Sequence, residues 1–216
     1  MSKLLYKEMR LAANPLSYIF IVFTAMTFFP GYPILCSGFF VSFGIFQTYQ
    51  QTREYDDIIY TALLPTKRKD VVSAKYLFTV IIQLVSFVLC TVFTVLRMTV
   101  MKDGIAYTTN QMMNANLLYL GLVLMIFAAF NIVFLGDFFK TAYKIAKPFF
   151  KFCAVAFSII LVGEALHHFP GLEYLNNTSG TSLFQNIVLV LGIVTYIVGT
   201  IWSLKKSIKS FEKIDL

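Results

Sequence analysis

The chain carries no charged residue from Leu11 to Thr52, a run of forty-two positions. About 20 apolar residues cross a hydrocarbon core of about 30 Å, so this run is too long for one span. Pro30-Gly31-Tyr32-Pro33 is a strong turn signal near its middle and divides it into spans over 15–31 and 33–49, both near the short limit. Further apolar segments cover 71–100, 117–136, 149–167 and 184–204. The third has a strictly uncharged part from Tyr76 to Leu96, and as a whole it exceeds a bilayer. Its first turns are therefore expected to project as a stalk before Lys102-Asp103-Gly104 ends it. The pattern predicts an all-α membrane protein with six transmembrane helices.

The polar stretches between these segments are short. In residues 1–14, Lys3, Lys7 and Arg10 share one helical face, and Leu5, Met9, Ala12 and Leu16 fall opposite. That pattern predicts an amphipathic interface helix, basic side toward headgroups and water, broken by Asn14-Pro15. Between the second and third spans, Gln50 to Leu77 holds nine charged residues. Tyr55, Ile59 and Leu63 at i, i+4, i+8 predict one short helix. Pro65 stops it and pushes Leu64 out of the helical region, and Thr66 is placed to cap a new helix through Val71. A charged helix–Pro–helix elbow between apolar spans is a surface suited to a partner in water. Pro170-Gly171 and Asn176 to Ser182 read as a loop without Lys or Arg, and 205–216 as a polar tail.

Composition supports the membrane reading. The chain is 58% hydrophobic, 17% aromatic and 13% charged, with mean hydropathy +0.73, against about 25% charged residues in soluble domains. No signal peptide with a small-residue cleavage site is visible, so the first span is expected to stay. A net charge of +7 raises nucleic acid as a partner, but the cations flank apolar segments in small groups, as juxtamembrane anchors do. Six spans put sixteen of the eighteen cations on the side of the termini, leaving only Arg97 and Lys102 opposite. That bias makes both termini cytoplasmic. Tyr18, Tyr76, Tyr119 and Trp202 are expected in aromatic belts. Gly192 and Gly199, two turns apart, allow either close helix approach or plain flexibility. Cys36, Cys90 and Cys153 lie in apolar segments without metal-ligand spacing and read as small buried hydrophobes.

Catalytic signatures are sparse. The chain has no G-x-x-x-x-G-K-[ST] loop, no H-E-x-x-H and no G-x-S-x-G. Glu164 and His167, with His168, share a helix end, but one such pair is too few for a bundle metal site. Arg97, Glu164 and His167 are candidates to line the outer end of a translocation path, since charges at membrane depth usually face a cavity or partner. The alternative is that Arg97 and Glu164 snorkel to the interface, with Glu164 facing Arg97. The N-x-[ST] matches at Asn176 to Ser179 are explained by a polar loop alone.

At LLPTKRKDVVSAKYL the chain resembles small permeases of the type 2 ABC exporter superfamily, mostly from Gram-positive bacteria. The resemblance rests on Glu54, Asp56 and Asp57, then Leu64-Pro65, Thr66, Lys67 to Lys69 with Arg68 among them, Asp70-Val71-Val72 and Lys75-Tyr76. With the spans and the N-terminal helix it covers the whole chain, and it is similar to exporters of amphipathic peptides such as bacteriocins and phenol-soluble modulins. It implies a permease subunit in a bacterial cell membrane, transporting but not itself catalytic. It implies a second permease chain, identical or related, and a separate cytoplasmic ABC ATPase that holds ATP and Mg. Glu54, Asp56, Asp57, Ile59, Leu63, Leu64, Pro65, Thr66, Arg68 and Asp70 would form the ATPase-coupling surface, with Lys3, Lys7 and Arg10 on the interface helix. Two other classes compete. A membrane immunity or sensor protein would bind a peptide without pumping it. A membrane-embedded enzyme is disfavoured by the lack of intramembrane Asp, His or Ser-Lys groupings.

Overall fold

The computed structural model describes residues 2–63, 65–141, 144–178 and 182–214. Those residues form helices joined by turns, with no strand among them. Helix α1 is Ser2–Lys7, continued by a wide turn over Glu8–Ala12. Helix α2 is Leu16–Ile19, tightening to 3-10 geometry over Phe20–Phe28. Then come α3 Cys36–Glu54, α4 Asp57–Leu63, α5 Arg68–Thr99, α6 Ile105–Thr108, α7 Leu117–Phe138, α8 Ala146–Leu166 and α9 Leu183–Phe211.

The Asn14-Pro15 break turns α1 by 91° from α2. The Asn14 side chain accepts from Leu16 N at 2.9 Å, and its backbone N donates to Thr48 Oγ1 at 2.9 Å. Short α2 gains reach from its geometry, because a 3-10 turn rises about 2.0 Å per residue against 1.5 Å in an α-helix. Thr24 and Thr27 each donate to the carbonyl three residues back, at 2.7 and 2.6 Å. A side chain at Gly44 would start 2.7 Å from Phe20 Cβ, so α3 presses closely on α2. Gly31, with φ +83°, makes the turn between them and donates to Asn110 Oδ1 at 3.1 Å.

Four helices, α5, α7, α8 and α9, are long and apolar enough to cross a membrane, and the bent α1–α2 pair is a fifth candidate. Helix α3 misses that standard because its last eight residues, from Gln47 to Glu54, are polar. The expected count of six is therefore not met by length and apolarity alone. Contacts nevertheless place α2 and α3 along α5: Tyr49 of α3 donates to Lys75 O at 3.2 Å near one end, and the carbonyl of Thr27 of α2 accepts from Arg97 near the other. Helix α1 and the end of α9 both meet the Arg68–Lys75 end of α5.

Helix α7 is the centre of the bundle, with 78% of its most apolar stretch buried against 22–33% for the other three. Phe130, Phe134 and Phe138 form its aromatic stripe against Phe46 and Tyr49 of α3 and Phe149 and Phe152 of α8. On its other side α7 crosses α9 through glycines: a Cβ on Gly192 would lie 2.4 Å from Gly121 O, and one on Gly199 2.6 Å from Ile132 Cδ1. Close approach, not flexibility, is what these glycines serve. Polar side chains bridge the same helices. Gln83 and Asn131 exchange reciprocal amide bonds at 3.0 Å, and Asn131 also reaches Thr200 and Gln83 accepts from Tyr196.

Several boundaries and roles differ from the sequence expectation. Tyr76 and Tyr119 are buried in polar hubs, on Ser203 with Ser207 and on Ser37 with Thr27, rather than in a belt. Tyr18 and Trp202 are exposed. The tail from Lys205 continues α9 as helix through Phe211. Tyr55 lies outside α4, and the buried face of α4 is Ile58 and Thr61, three apart, not Tyr55 and Ile59. The cap of α5 is Lys67, without a side-chain bond, while Thr66 donates to Thr61 O at 3.2 Å and so closes α4.

Candidate functional site

The elbow is built on a reversal at Asp56, whose φ of 48° lies in the left-handed region that Asp tolerates better than most residues. This turns α4 back so that its first residue, Asp57, faces α1 and α5. There two lysines and two carboxylates close a ring. Glu8 takes Lys7 on Oε1 at 3.2 Å and Lys75 on Oε2 at 2.9 Å. Asp57 takes Lys7 on Oδ1 and Lys75 on Oδ2, the latter at 3.0 Å. Each ammonium spends its third donor on a threonine, Lys7 on Thr61 at 2.6 Å and Lys75 on Thr52 at 3.3 Å. All three donors of each lysine are thus placed, and the four charges sum to zero.

The ring is deep. Glu8 and Lys75 side chains are each 2% exposed, Lys7 and Asp57 21% and 17%. Burial pushes the Asp57 carboxyl up, but the Lys75 charge and the hydrogen bond and charge of Lys7 outweigh it, holding the group below its ordinary value. The knot joins α1, α3, α4 and α5, so α1 and the elbow are fixed to the start of α5. Charges buried this way are strongly destabilising only when one partner is removed. Two signals for the ring were present in the sequence. Lys75 lies on the stripe Val71, Lys75, Phe78, Ile82 that α5 buries, and a cation on an apolar stripe demands a partner. Glu8 is the acidic residue inside an otherwise basic helix.

The outward surface of the elbow is different in kind. Tyr55 and Tyr60 are 68% and 73% exposed, and Arg53, Glu54, Asp56, Pro65, Lys67 and Lys69 are exposed beside them. Between the two tyrosines and the wide turn after α1 is an open cleft of about 190 Å³, walled by Leu11, Ala12, Gln51 and Thr52 and reaching Asp57 of the ring. A family model described as ABC-2 family transporter protein matches residues 3–212, from α1 through the end of α9. The chain belongs to the ABC-2 transporter family. No curated protein and no solved structure matches it.

The residues expected to couple this ABC-2 permease to a motor divide between the two surfaces. Asp57 and Lys7 are held in the ring, so Lys7 turns inward and not toward headgroups. Glu54 accepts from Gln50 at 3.1 Å, and Asp56 is exposed. Ile59 is half-buried, Leu63 is the last residue of α4, and Leu64 lies outside the described residues. Arg68 donates to the carbonyls of Glu212 and Ile214 at 3.0 and 2.6 Å, closing the C-terminus of α9, where a cation suits the helix dipole. Asp70 sits in the first turn of α5. Lys3 is exposed, and exposed Arg10 donates to Tyr6 Oη at 2.7 Å.

At the opposite end, Arg97 and Glu164 do not pair. Arg97, 2% exposed, donates to Thr27 O and to Asn114 Oδ1 at 3.0 Å, with its guanidinium 3.7 Å from the Tyr107 ring centroid. Glu164 accepts from Met113 N at 2.9 Å, and His167 Nε2 meets Gln111 O at 3.0 Å. Asn176 accepts from Asn114 N at 2.6 Å. Helices α5 and α8, with the 3-10 turn Glu173–Asn176, thereby clasp the loop between α6 and α7. These side chains hold that loop down.

Proposed function

We propose that this ABC-2 permease works as the membrane subunit of an ATP-driven exporter, and that the elbow of α4, with α1, receives motion from a separate cytoplasmic ATPase. The observation that carries this reading is the closed Lys7–Glu8–Lys75–Asp57 ring, which makes α1, α4 and the start of α5 one rigid piece. A push on the exposed tyrosines is then delivered directly to α5, the longest helix, as rigid-body motion. The polar ring, buried at the aqueous end, costs desolvation that a passive loop has no reason to bear.

Six crossings and cytoplasmic termini belong to the same proposal. They are supported by α1 and the end of α9 meeting the same end of α5, which requires an even number of passages, and by the bias of the cations to that end. The working unit is a pair of permease chains with two ATPases in a bacterial cell membrane, and amphipathic peptides are the substrate class. The 37–78% exposed valines, leucines and isoleucines of α5, α8 and α9 supply the apolar surface such pairing and lipid contact need.

The test is co-expression with a candidate Walker-motif ABC ATPase. Tyr60→Ala and Tyr55→Ala on the outward face are expected to lower ATPase co-purification and peptide export while leaving insertion and thermal stability unchanged. Normal export by both variants sinks the coupling assignment. Absence of any co-purifying ATPase favours peptide binding without pumping.

A further inference from the structure

The connection between α7 and α8 forms a surface outside the elbow and the loop clasp. At the end of the bundle that carries α1, Lys140, Lys144, Lys147 and Lys151, with Asp137 and Thr141, line a cup of about 320 Å³. Asp137 pairs with Lys140 and, at 2.7 Å, with Lys151. Lys144 and Lys147 are exposed and have no acidic partner among the described residues. Four lysines against one aspartate leave the cup with three positive charges in excess. Farther along the same two helices runs a shallow apolar groove of about 480 Å³, walled by Leu122 and Met125 of α7 and by Val155, Ile159 and Val162 of α8. Ser158 in its wall donates to Ala154 O at 2.8 Å, so its hydroxyl is already used.

Cup and groove are continuous on α8. Lys147, Lys151, Val155, Ser158 and Val162 follow at helical spacing along one face. From Lys151 to Val162 the helix rises about 16 Å, which is half of a hydrocarbon core of about 30 Å. A cationic cup that ends where an apolar groove one leaflet deep begins matches one anionic phospholipid in both charge and length. A soluble anion would use the cup and leave the groove empty.

We propose that an anionic phospholipid lies lengthwise between α7 and α8, its phosphate in the lysine cup and an acyl chain along the groove. The test is native mass spectrometry of the full chain purified in mild detergent with equal amounts of phosphatidylglycerol and phosphatidylcholine. A phosphatidylglycerol adduct is expected in roughly thirtyfold excess, as two unpaired lysines at about 1 kcal/mol each provide. Lys144→Gln with Lys147→Gln is expected to abolish that excess. Val155→Trp, which fills the groove and spares the lysines, is expected to remove the adduct. Lys205→Gln with Lys206→Gln, cations at the same end on α9, should leave it intact. Equal adducts of both lipids, equal loss in the α9 variant or an unaffected Val155→Trp each overturn the proposal. Displacement by inorganic phosphate would make the cup a soluble-anion site, and an adduct on monomers but not dimers would give the groove to a second chain; either result also overturns it.

Discussion

The ammonium of Lys75 lies 2.9 Å from Glu8 Oε2, across sixty-seven residues of chain, with both side chains almost fully buried. Neither charge has water to fall back on, so each is the other's solvent. Lys75→Met leaves Glu8 with only the partly exposed Lys7, and a stability loss of about 3–5 kcal/mol is expected, the usual result of stranding a buried charge. The double variant Lys75→Met with Glu8→Leu replaces the pair by apolar groups and should recover part of that loss, because Lys7 and Asp57 still neutralise each other. Thermal unfolding of the purified chain in one detergent reads both values. Additive losses from the two single changes would mean that the pair is not coupled.

Asp57 gives the ring a defined acid limit. Its folded-state carboxyl is held below the ordinary value of 3.8 by Lys75 and Lys7 against the pull of burial. A depressed carboxylate contributes stability that is fully present above the unfolded value and is lost as pH falls through the folded one. The order of the elbow, followed by hydrogen exchange over α4, is therefore expected to be flat from about pH 5 to 8 and to fail below about pH 4. Asp57→Asn should lower protection at neutral pH and flatten that acid limb. An acid limb of unchanged depth in Asp57→Asn rules out this carboxylate as its source.

Apolar segments were legible in the sequence because hydropathy is a local property. Each of the six expected segments has a helix in it, and the right-angled break at Asn14-Pro15 follows from proline chemistry alone. What pairs with what was not legible. The Tyr55–Ile59–Leu63 stripe is a fair local reading, but the left-handed turn at Asp56 resets the helix phase and buries Ile58 and Thr61 instead. Tyr76 and Tyr119 look like interface anchors by position, yet hydroxyl partners on other helices draw them inside. Lys7 and Glu8 differ by one residue, and only the wide turn at Glu8–Ala12 and the return of Asp57 let both join one ring. Gly192 was readable as a small residue, while its partner Gly121 became evident only from the crossing.

That crossing supplies a packing prediction. A Cβ on Gly192 would meet Gly121 O at 2.4 Å, and backbone cannot move aside as a flexible side chain can. Gly192→Ala is expected to cost about 1–3 kcal/mol, the range for overpacking a filled interior. Gly171→Ala, where a Cβ meets nothing within 4 Å but φ is +85°, tests backbone strain instead and should act on its loop without loosening the bundle. Exchange rates along α7 and α9 separate the two cases. A Gly192→Ala variant as stable as the parent would show that the helices have room to part.

Arg97 distinguishes a clasp from a transport gate. Its guanidinium combines two directional bonds, to Thr27 O and Asn114 Oδ1, with stacking on Tyr107. A lysine keeps the charge but lacks the planar fork, so it cannot satisfy all three at once. Arg97→Lys is expected to raise hydrogen exchange from Asn110 to Asn116 by roughly tenfold, as loss of a hydrogen bond to a charged group allows. The elbow ring, at the other end of α5, should keep its protection. A charge that merely lined a passage would give the opposite pattern, with export altered and the loop as protected as before. If Arg97→Lys leaves exchange over Asn110 to Asn116 unchanged while export falls, the clasp is not what Arg97 serves.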